Sequence, residues 1–169
     1  MLNKIIWFTG LSGAGKTTLA ILLLKFLEKN YRCLHVDGDK FRKKNKDKLI
    51  LSRKNIANNN LSIINYCSKN LHKFDFIVVS VISPLVATRK KAFRIFGANY
   101  KEFFVKAKIS DLIKRDTKGF YRKAKKSNFK VLGYNTMKYE VSKHKHLLIN
   151  TSKLNKNNCI NKIKKNIFF

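Results

Sequence analysis

Acidic residues, proline and glycine are scarce in this chain of 169 residues. It contains nine acidic residues against 38 lysines and arginines, with one proline and seven glycines, and its formal net charge is +29. Such a charge usually indicates an anionic partner, such as nucleic acid or a membrane surface. The basic residues are spread over the whole chain, however, as is typical of solvated faces. We therefore interpret them mainly as exposed surface and do not expect nucleic acid to be the partner.

Cysteines and long apolar runs are also few. The three cysteines, Cys33, Cys67 and Cys159, are widely spaced and form no C-x-x-C pair, which argues against a disulfide framework or a zinc site. This cysteine usage fits a reducing compartment, and we expect a cytoplasmic protein. The longest apolar run, residues 76–82, is far too short to cross a bilayer. We therefore expect no targeting segment and no membrane association.

Hydrophobic residues make up 44% of the chain, which is enough for the core of one domain. Stretches with the period of a strand alternate with stretches that have the period of a helix. Strands are predicted at residues 4–9, 33–36, 74–82, 103–105 and 147–149, and helices at 16–30, from the cap Ser52 to about 71, and at 84–96, 110–115 and 153–167. This order predicts an α/β fold, a doubly wound parallel five-stranded sheet flanked by helices, with ligands at the carboxyl ends of the strands. We expect a single domain over residues 1–169 that ends in a polar, basic helix at 153–167.

Three of the few glycines lie just after the first predicted strand. Residues 10–17 read G-L-S-G-A-G-K-T, a complete phosphate loop between an apolar strand and a helix. Backbone N–H groups and the helix N-terminus can together hold a polyphosphate there. Lys16 would bridge the outer phosphates, and the hydroxyl of Thr17 would bind Mg²⁺. The residues predicted to bind the nucleoside triphosphate are Gly10, Leu11, Ser12, Gly13, Ala14, Gly15, Lys16, Thr17 and Thr18.

Two acids follow the second predicted strand. Asp37 and Asp39 flank Gly38, so both carboxylates are expected to face the phosphate loop from the end of the strand. One carboxylate can order magnesium-bound water, which we assign to Asp37, while the other accepts a proton from the acceptor. Arg42, one helical turn later, can pair with a phosphate or sulfate of the acceptor. An ordinary Asp-Gly-Asp turn without function is the alternative.

The surrounding sequence narrows the class of phosphate-loop protein. A GTPase needs an Asn-Lys-x-Asp motif after an apolar strand, and residues 45–47 lack the spacer residue. A motor or transport ATPase would end the strand at 74–82 with an acid, where this chain has Ser83 and Pro84. A small kinase remains, in which a mobile lid closes over the phosphates and a second pocket holds a hydroxyl acceptor. We predict the lid at residues 116–136, which are basic and lack clean periodicity.

Four motifs occur in register along the chain. They are residues 6–20, the Asp37-Gly38-Asp39 turn with Arg42, the Ile82-Ser83-Pro84 segment with Arg89, and residues 115–124. In order and spacing they resemble the adenylylsulfate (APS) kinase family of P-loop kinases over residues 4 to about 150. The resemblance implies transfer of the γ-phosphate of ATP to the 3′-hydroxyl of adenosine 5′-phosphosulfate, giving PAPS, with Mg²⁺.

The resemblance also implies further site residues. Arg115 would bind the nucleotide, and Lys118 in the lid would be both catalytic and substrate-binding. Lys123 would also neutralise charge on the transferring group. Acceptor residues would be Asn59, Ser83 and Arg89. Ser83 resembles a serine of the family that is linked to phosphorylation, but Ser-Pro is also a common helix start, so a helix cap is the alternative.

The sequence departs from the family at the positions expected to recognise the acceptor. Leu51 and Val131 stand where aromatic residues would stack on the acceptor adenine, and Ile56 replaces an arginine. Aromatic contacts with a base contribute about 1–3 kcal/mol each, so their loss would weaken acceptor binding. Arg53 lies three residues from the lost arginine and is a candidate substitute, and Val86 replaces a further arginine.

Three functions stay open on these residues. The first is an APS kinase with an altered acceptor pocket, and the second is a related P-loop kinase with a different hydroxyl acceptor, or a degenerate paralogue. The third is a basic protein associated with nucleic acid, which would need basic residues and aromatics concentrated in one groove. The expected partner is a small-molecule substrate, and a homodimer is possible.

Overall fold

The computed structural model describes residues 2–44, 51–142 and 146–168. Within these ranges, five parallel strands form one sheet in the order β2-β3-β1-β4-β5. The strands are β1 (Lys4–Thr9), β2 (Cys33–Asp37), β3 (Phe76–Ser80), β4 (Tyr100–Lys106) and β5 (Leu147–Asn150). The helices are α1 (Lys16–Leu27), α2 (Gly38–Lys44), α3 (Arg53–Asn70), α4 (Val86–Phe96), α5 (Ile109–Arg115), α6 (Phe120–Lys126) and α7 (Lys156–Ile167). The predicted doubly wound α/β fold is confirmed.

The order of the strands explains where a ligand can bind. From β1 the chain moves outward to β2, returns to β3 beside β1, and then crosses to β4 on the other side of β1. The direction of winding therefore reverses at β1, and the loops at the carboxyl end of β1 separate there. The phosphate loop follows β1 directly, so it lies at this reversal point.

Both faces of the central strand are buried, which is why its sequence is continuously apolar. Ile6 and Phe8 contribute to one core with α1 and α7, and Ile5 and Trp7 contribute to the other core with α3. Side chains of a strand alternate between faces, so a single apolar run supplies both layers. These two cores fix β1, and with it the start of the phosphate loop.

The helix ends partly follow the predictions. Ser52 caps α3 as predicted, because its Oγ accepts a hydrogen bond of 3.1 Å from the Asn55 amide. The helix predicted from residue 84 begins instead at Val86, with Leu85 at the cap position. Within the predicted lid, the chain forms the helix α6, which the sequence pattern does not predict. The helix has only seven residues and buries a single side chain, Tyr121, so its sequence shows no helical period.

The helix near the end of the chain differs from the prediction in character. We predicted a polar helix, but one face of α7 is buried against α1 as part of the core. The buried side chains recur at helical spacing and are Cys159, Ile160, Ile163 and Ile167. The surrounding lysines and asparagines make the segment polar on average, so the apolar stripe is not apparent from its composition. No helix in the described part of the chain is long and apolar enough to cross a membrane.

Candidate active site

A cavity of about 1040 Å³ opens at the carboxyl ends of β1, β2 and β3. Its walls come from residues 12–19 of the phosphate loop and α1, the turn at residues 37–39, the loop at residues 80–84, the first half of α3 and part of the predicted lid. The volume lies at the upper end of the range for small-molecule sites. The cavity therefore brings together residues from all four motifs of the sequence.

The phosphate loop has the backbone that an anion site needs. Gly13 and Gly15 adopt positive φ angles of 76° and 100°, which are accessible to glycine at little cost. Gly10 also has a positive φ angle, of 138°, and a Cβ there would in addition lie 2.2 Å from the carbonyl oxygen of Val105 on β4. Gly10 and Leu11 do not line the cavity, whereas Ser12 to Thr18 do. For Gly10 and Leu11 we therefore revise the predicted nucleotide contact to a role in shaping the loop.

Lys16 lies at the base of the cavity and is only 8% exposed. Its Nζ donates a hydrogen bond of 2.8 Å to the carbonyl oxygen of Leu11. Burial, and to a lesser extent the charge of Lys118, lowers the pKa of Lys16 to about 7, although Asp39 and Asp37 act in the opposite direction. A buried amine with this pKa is suited to an anionic ligand, which would stabilise its charged form.

Asp37 is held in one orientation by four donors. Its Oδ2 accepts hydrogen bonds from the hydroxyls of Thr17, at 2.9 Å, and Ser80, at 3.0 Å. Its Oδ1 accepts from the amides of residues 39 and 40, at 3.1 and 3.2 Å. Burial favours a higher pKa for Asp37, but these hydrogen bonds outweigh it and hold the pKa below its usual value. Asp37 is therefore ionised beside the phosphate loop at neutral pH.

Sequence reasoning missed Ser80 as a site residue. The parallel register pairs Ser80 of β3 with Asp37 of β2, which puts the hydroxyl next to the carboxylate. Nε2 of His35 lies 3.0 Å from the same hydroxyl. The available signal was that Ser80 is the one polar residue in an otherwise apolar buried strand, where a hydroxyl needs a partner.

Asp39 contacts one residue of its own motif and one of the last motif. Its carboxylate forms ion pairs with Arg42 on α2 and with Lys118 on the predicted lid. Burial favours a higher pKa for Asp39, but Lys118 and Arg42 outweigh it, and the pKa is lowered. All three residues line the cavity. The ion pair with Lys118 thus links the predicted lid to the turn at residues 37–39.

Arg115 occupies the opposite end of the cavity. Its guanidinium donates to the hydroxyl and the carbonyl oxygen of Thr151, at 3.0 and 2.7 Å. Thr151 follows β5 and also donates to the carbonyl oxygen of Ala14, at 3.0 Å. Sequence reasoning missed Thr151, which joins β5 to the phosphate loop. This end of the cavity is completed by Leu154, Asn155, Lys156 and Cys159.

A third part of the cavity wall contains the positions at which the sequence departs from the family. Leu51, Ile56 and Val131 all line the cavity, so apolar aliphatic side chains occupy this end. Asn59 lines it as well, and its Oδ1 is buried without a hydrogen-bond partner among the described residues. The neighbouring Asn60 was not predicted, yet it lines the cavity with a buried Nδ2 in the same condition. Residues 48–50, which immediately precede Leu51, lie outside the described residues.

Four predicted roles change in the structure. Ser83 lines the cavity but is not the cap of α4, so the cap alternative is wrong. Arg89 is fully buried outside the cavity and directs its donors at protein groups, so we revise its predicted acceptor contact. Arg53 forms an ion pair of 2.8 Å with Glu140 and does not line the cavity. Lys123 lies 4.7 Å from the centre of the Phe129 ring, which lines the cavity, but Lys123 itself does not line it.

Comparisons with known proteins agree with this geometry. The profile of the adenylylsulphate kinase family matches residues 2–150. An adenylyl-sulfate kinase of Bacteroides thetaiotaomicron is 34% identical over 163 residues, which cover 95% of this chain and 81% of the relative. A probable adenylyl-sulfate kinase of Pyrococcus abyssi is 38% identical over 152 residues, covering 88% of this chain and 86% of the relative.

Solved structures give the same answer for the fold. The APS kinase of Mycobacterium tuberculosis, solved in complex with AMPPNP and APS, superposes with a TM-score of 0.83 at 29% identity and covers 95% of both chains. A gluconokinase of Sinorhizobium meliloti superposes with a TM-score of 0.65 at 12% identity, which reflects the shared fold alone. This chain therefore belongs to the adenylylsulphate kinase family and is an ATP-dependent phosphotransferase.

Proposed function

We propose that this protein transfers the γ-phosphate of ATP to the 3′-hydroxyl of adenosine 5′-phosphosulfate. The observation that carries the proposal is that Lys16, Asp37 and Asp39 line one cavity, so a phosphate donor and a carboxylate base can meet in it. A relative with the same fold was solved with AMPPNP and APS together, which supports two ligands of this kind in one site.

The residues at the phosphate loop fit a magnesium polyphosphate. Thr17 and Asp37 offer two oxygens 2.9 Å apart, and the described residues contain no cluster of three or more His, Cys, Asp or Glu. Mg²⁺ characteristically uses one or two carboxylates and completes its shell with phosphates and water. We assign Thr17 and Asp37 to hold Mg²⁺, which when bound neutralises charge on the phosphate oxygens. Lys16 and residues 12–18 would hold the phosphates, and Arg115 would flank the nucleotide.

Asp39 and Lys118 have complementary parts in the transfer. Asp39 would accept the proton of the acceptor hydroxyl as the new P–O bond forms and the bond to the leaving ADP oxygen breaks. Lys118 would stabilise the negative charge on the transferring group from the lid side. Because Lys118 is paired with Asp39, it would have to shift from the carboxylate to the phosphoryl oxygens when substrates enter. We propose residues 116–136 as the lid that makes this shift.

We call the part of the cavity lined by Leu51, Ile56 and Val131 the acceptor end. It would bind the acceptor through polar contacts in place of aromatic stacking. Arg42 would pair with the anionic group of the acceptor. Ser83 Oγ could donate a hydrogen bond to the acceptor, and Asn59 Oδ1 could accept one from its hydroxyl or amino groups, since neither atom has a partner among the described residues. Leu51, Ile56 and Val131 would pack on the adenine as aliphatic surface. Without aromatic stacking we expect a higher KM for the acceptor than an aromatic pocket would give. These same positions favour a second candidate, a related P-loop kinase with a different hydroxyl acceptor.

A panel of acceptors with an active-site variant tests the proposal. We expect APS to stimulate release of ADP more than adenosine or a short RNA does, and Asp39→Asn to lower kcat by about 100-fold or more because it removes the proton acceptor. Lys165→Ala, an exposed change on α7, is the control and should behave as wild type. If APS at millimolar concentration gives no stimulation while another alcohol does, the second candidate replaces the first.

A further inference from the structure

Ser83 combines a strained backbone with an unused hydroxyl. Its φ angle is 41°, a left-handed conformation that residues other than glycine seldom adopt. The residue is 1% exposed and lines the cavity, and its Oγ has no hydrogen-bond partner among the described residues. Such conformations persist only where the surrounding structure holds them, and they concentrate at functional sites. Two groups of neighbouring side chains hold Ser83 in this conformation.

The first of these groups is the guanidinium of Arg89. It donates a hydrogen bond to the carbonyl oxygen of Ser83 and another to the carbonyl oxygen of Glu140. Its Nε lies 3.1 Å from Oε1 of Glu102, and both side chains are almost completely buried. Ser142 completes the group, because its hydroxyl donates to Glu102 at 2.8 Å and accepts from Arg89 at 2.9 Å.

The second group is a pair of hydroxyls at the end of β1. Oγ1 of Thr9 lies 2.6 Å from the carbonyl oxygen of Ile82 and 3.2 Å from that of Ser83. The hydroxyl of Tyr139 lies 2.8 Å from the same Oγ1. Since the single proton of Thr9 points to the carbonyl oxygens, Tyr139 donates to Thr9. The Tyr139 ring is fixed between the ring of Phe104, stacked at 4.8 Å, and the guanidinium of Arg89 at 4.9 Å.

Both groups include the segment at residues 139–142, which we call the strap. The strap also binds the loop after Ser83 directly, since the Glu140 amide donates to the carbonyl oxygen of Pro84 at 2.9 Å. In return, the amide of Val86 donates to the Glu140 carboxylate at 2.8 Å. The strap thus connects the end of the predicted lid to the loop at residues 80–84.

We propose that Thr9, Arg89, Glu102, Tyr139 and Ser142 form a clamp that holds the hydroxyl of Ser83 in the acceptor end of the cavity. Arg89 and Tyr139 are then positioning residues that act on the acceptor through Ser83. A buried ion pair is weak support for stability, because apolar residues of the same volume often replace it without loss. The Arg89–Glu102 ion pair is linked to the strained Ser83 at the cavity, and we attribute its presence there to the positioning of Ser83. This inference rests on the proposed function, since it concerns the acceptor of that reaction.

The test uses Tyr139→Phe, which removes one hydroxyl and keeps the ring. We expect the KM for APS to rise about fivefold, the effect of one hydrogen bond, while the KM for ATP stays within about twofold. Ser83→Ala should raise the KM for APS by a similar factor. In the double variant the KM should equal that of Ser83→Ala alone, because the clamp acts only through the Ser83 hydroxyl. Tyr31→Phe, whose ring packs on Phe76 far from the cavity, is the matched control.

Two outcomes would overturn the clamp. One is a fall in kcat with both KM values unchanged, which indicates loss of folded enzyme, and the other is that the two KM effects multiply in the double variant. Arg89→Lys gives a second test, because it keeps the charge opposite Glu102 but cannot reach several acceptors as a planar fork. It should raise the KM for APS at least as much as Tyr139→Phe does.

Hydrogen exchange separates failure of the clamp from failure of the proposed function. We expect the amides of Val86 and Glu140 to exchange at least fivefold faster in Tyr139→Phe than in Tyr31→Phe, since both amides bond across the strap. If the wild-type enzyme does not use APS, the proposed function fails, and the exchange rates still test whether the clamp holds the loop. Unchanged exchange in Tyr139→Phe overturns the clamp whichever acceptor the enzyme uses.

Discussion

Individual side chains around the phosphate loop carry most of the chemical information in this protein. No carboxylate in the described part of the chain forms an ion pair with the buried Lys16, and Asp37 is saturated with donors that keep it ionised. Burial disfavours the charged form of Lys16, which an anionic ligand would stabilise, whereas the ionised form of Asp37 is already favoured and offers its charge to a cation. The positions and charges of these two side chains therefore suit a magnesium polyphosphate.

The low pKa of Lys16 leads to a prediction about proton uptake. Its pKa of about 7 in the folded protein should rise when phosphates bind, so binding of Mg²⁺ and ATP at pH 8 should take up close to one proton. Calorimetry in buffers of different ionisation enthalpy measures this number. Lys16→Met should abolish the uptake, and a wild-type enthalpy that is independent of the buffer would contradict the prediction.

The same shift affects stability without ligand. Because the pKa of Lys16 is lower in the folded state than in the unfolded state, the unfolded chain binds more protons between about pH 7 and pH 10. The stability of the wild-type protein relative to Lys16→Met should therefore rise across this window. Below pH 7 both states are protonated, and the difference should be constant.

At the scale of secondary structure, the junction between β1 and the phosphate loop depends on close contact with β4. A Cβ at Gly10, where φ is 138°, would lie 2.2 Å from the Val105 carbonyl oxygen, whereas a Cβ at Gly119, which is in the left-handed helical conformation with φ 67° and ψ 10°, meets nothing within 4 Å. Gly10→Ala should therefore lower the free energy of unfolding by about 3 kcal/mol or more. Gly119→Ala should lower it by about 1–2 kcal/mol, the cost of its conformation alone. Equal losses in urea unfolding would show that the contact with β4 is unimportant.

Elements could be predicted from the sequence where local pattern decides them. The run at residues 4–9 and the phosphate loop after it are apparent in the sequence, because an apolar strand and a glycine turn are local features. The start of β4 was missed by three residues, since Glu102 is polar and its burial depends on a long-range ion pair with Arg89. The role of Arg89 was misjudged for the same reason, because most of its partners lie 13 to 53 residues away in sequence.

At the scale of the whole molecule, the net charge of +29 and the kinase site are separate features. Binding of RNA through scattered lysines should be electrostatic, so affinity for a short single-stranded RNA should fall at least tenfold between about 50 and 200 mM salt. The release of ADP should not respond to this RNA at either concentration. Affinity that persists at the higher salt, or stimulation by RNA, would favour the nucleic-acid alternative.

The whole molecule also unites two halves that resemble the family to different degrees. The nucleotide half keeps every residue of the phosphate loop motif, while the acceptor half has aliphatic residues at Leu51, Ile56 and Val131. The fold positions both halves around one cavity, so the chemistry depends on whether APS still fits the second half. The identity of the acceptor is therefore the central question.

Analysis of the transferred phosphate answers that question most directly. The enzyme is incubated with Mg²⁺, ATP and either APS or its 3′-deoxy analogue, and the products are identified by mass and by phosphorus NMR. We predict that APS gains one phosphate on its 3′-oxygen and that the 3′-deoxy analogue gains none. Binding of ATP without phosphate transfer to APS would contradict the proposed activity.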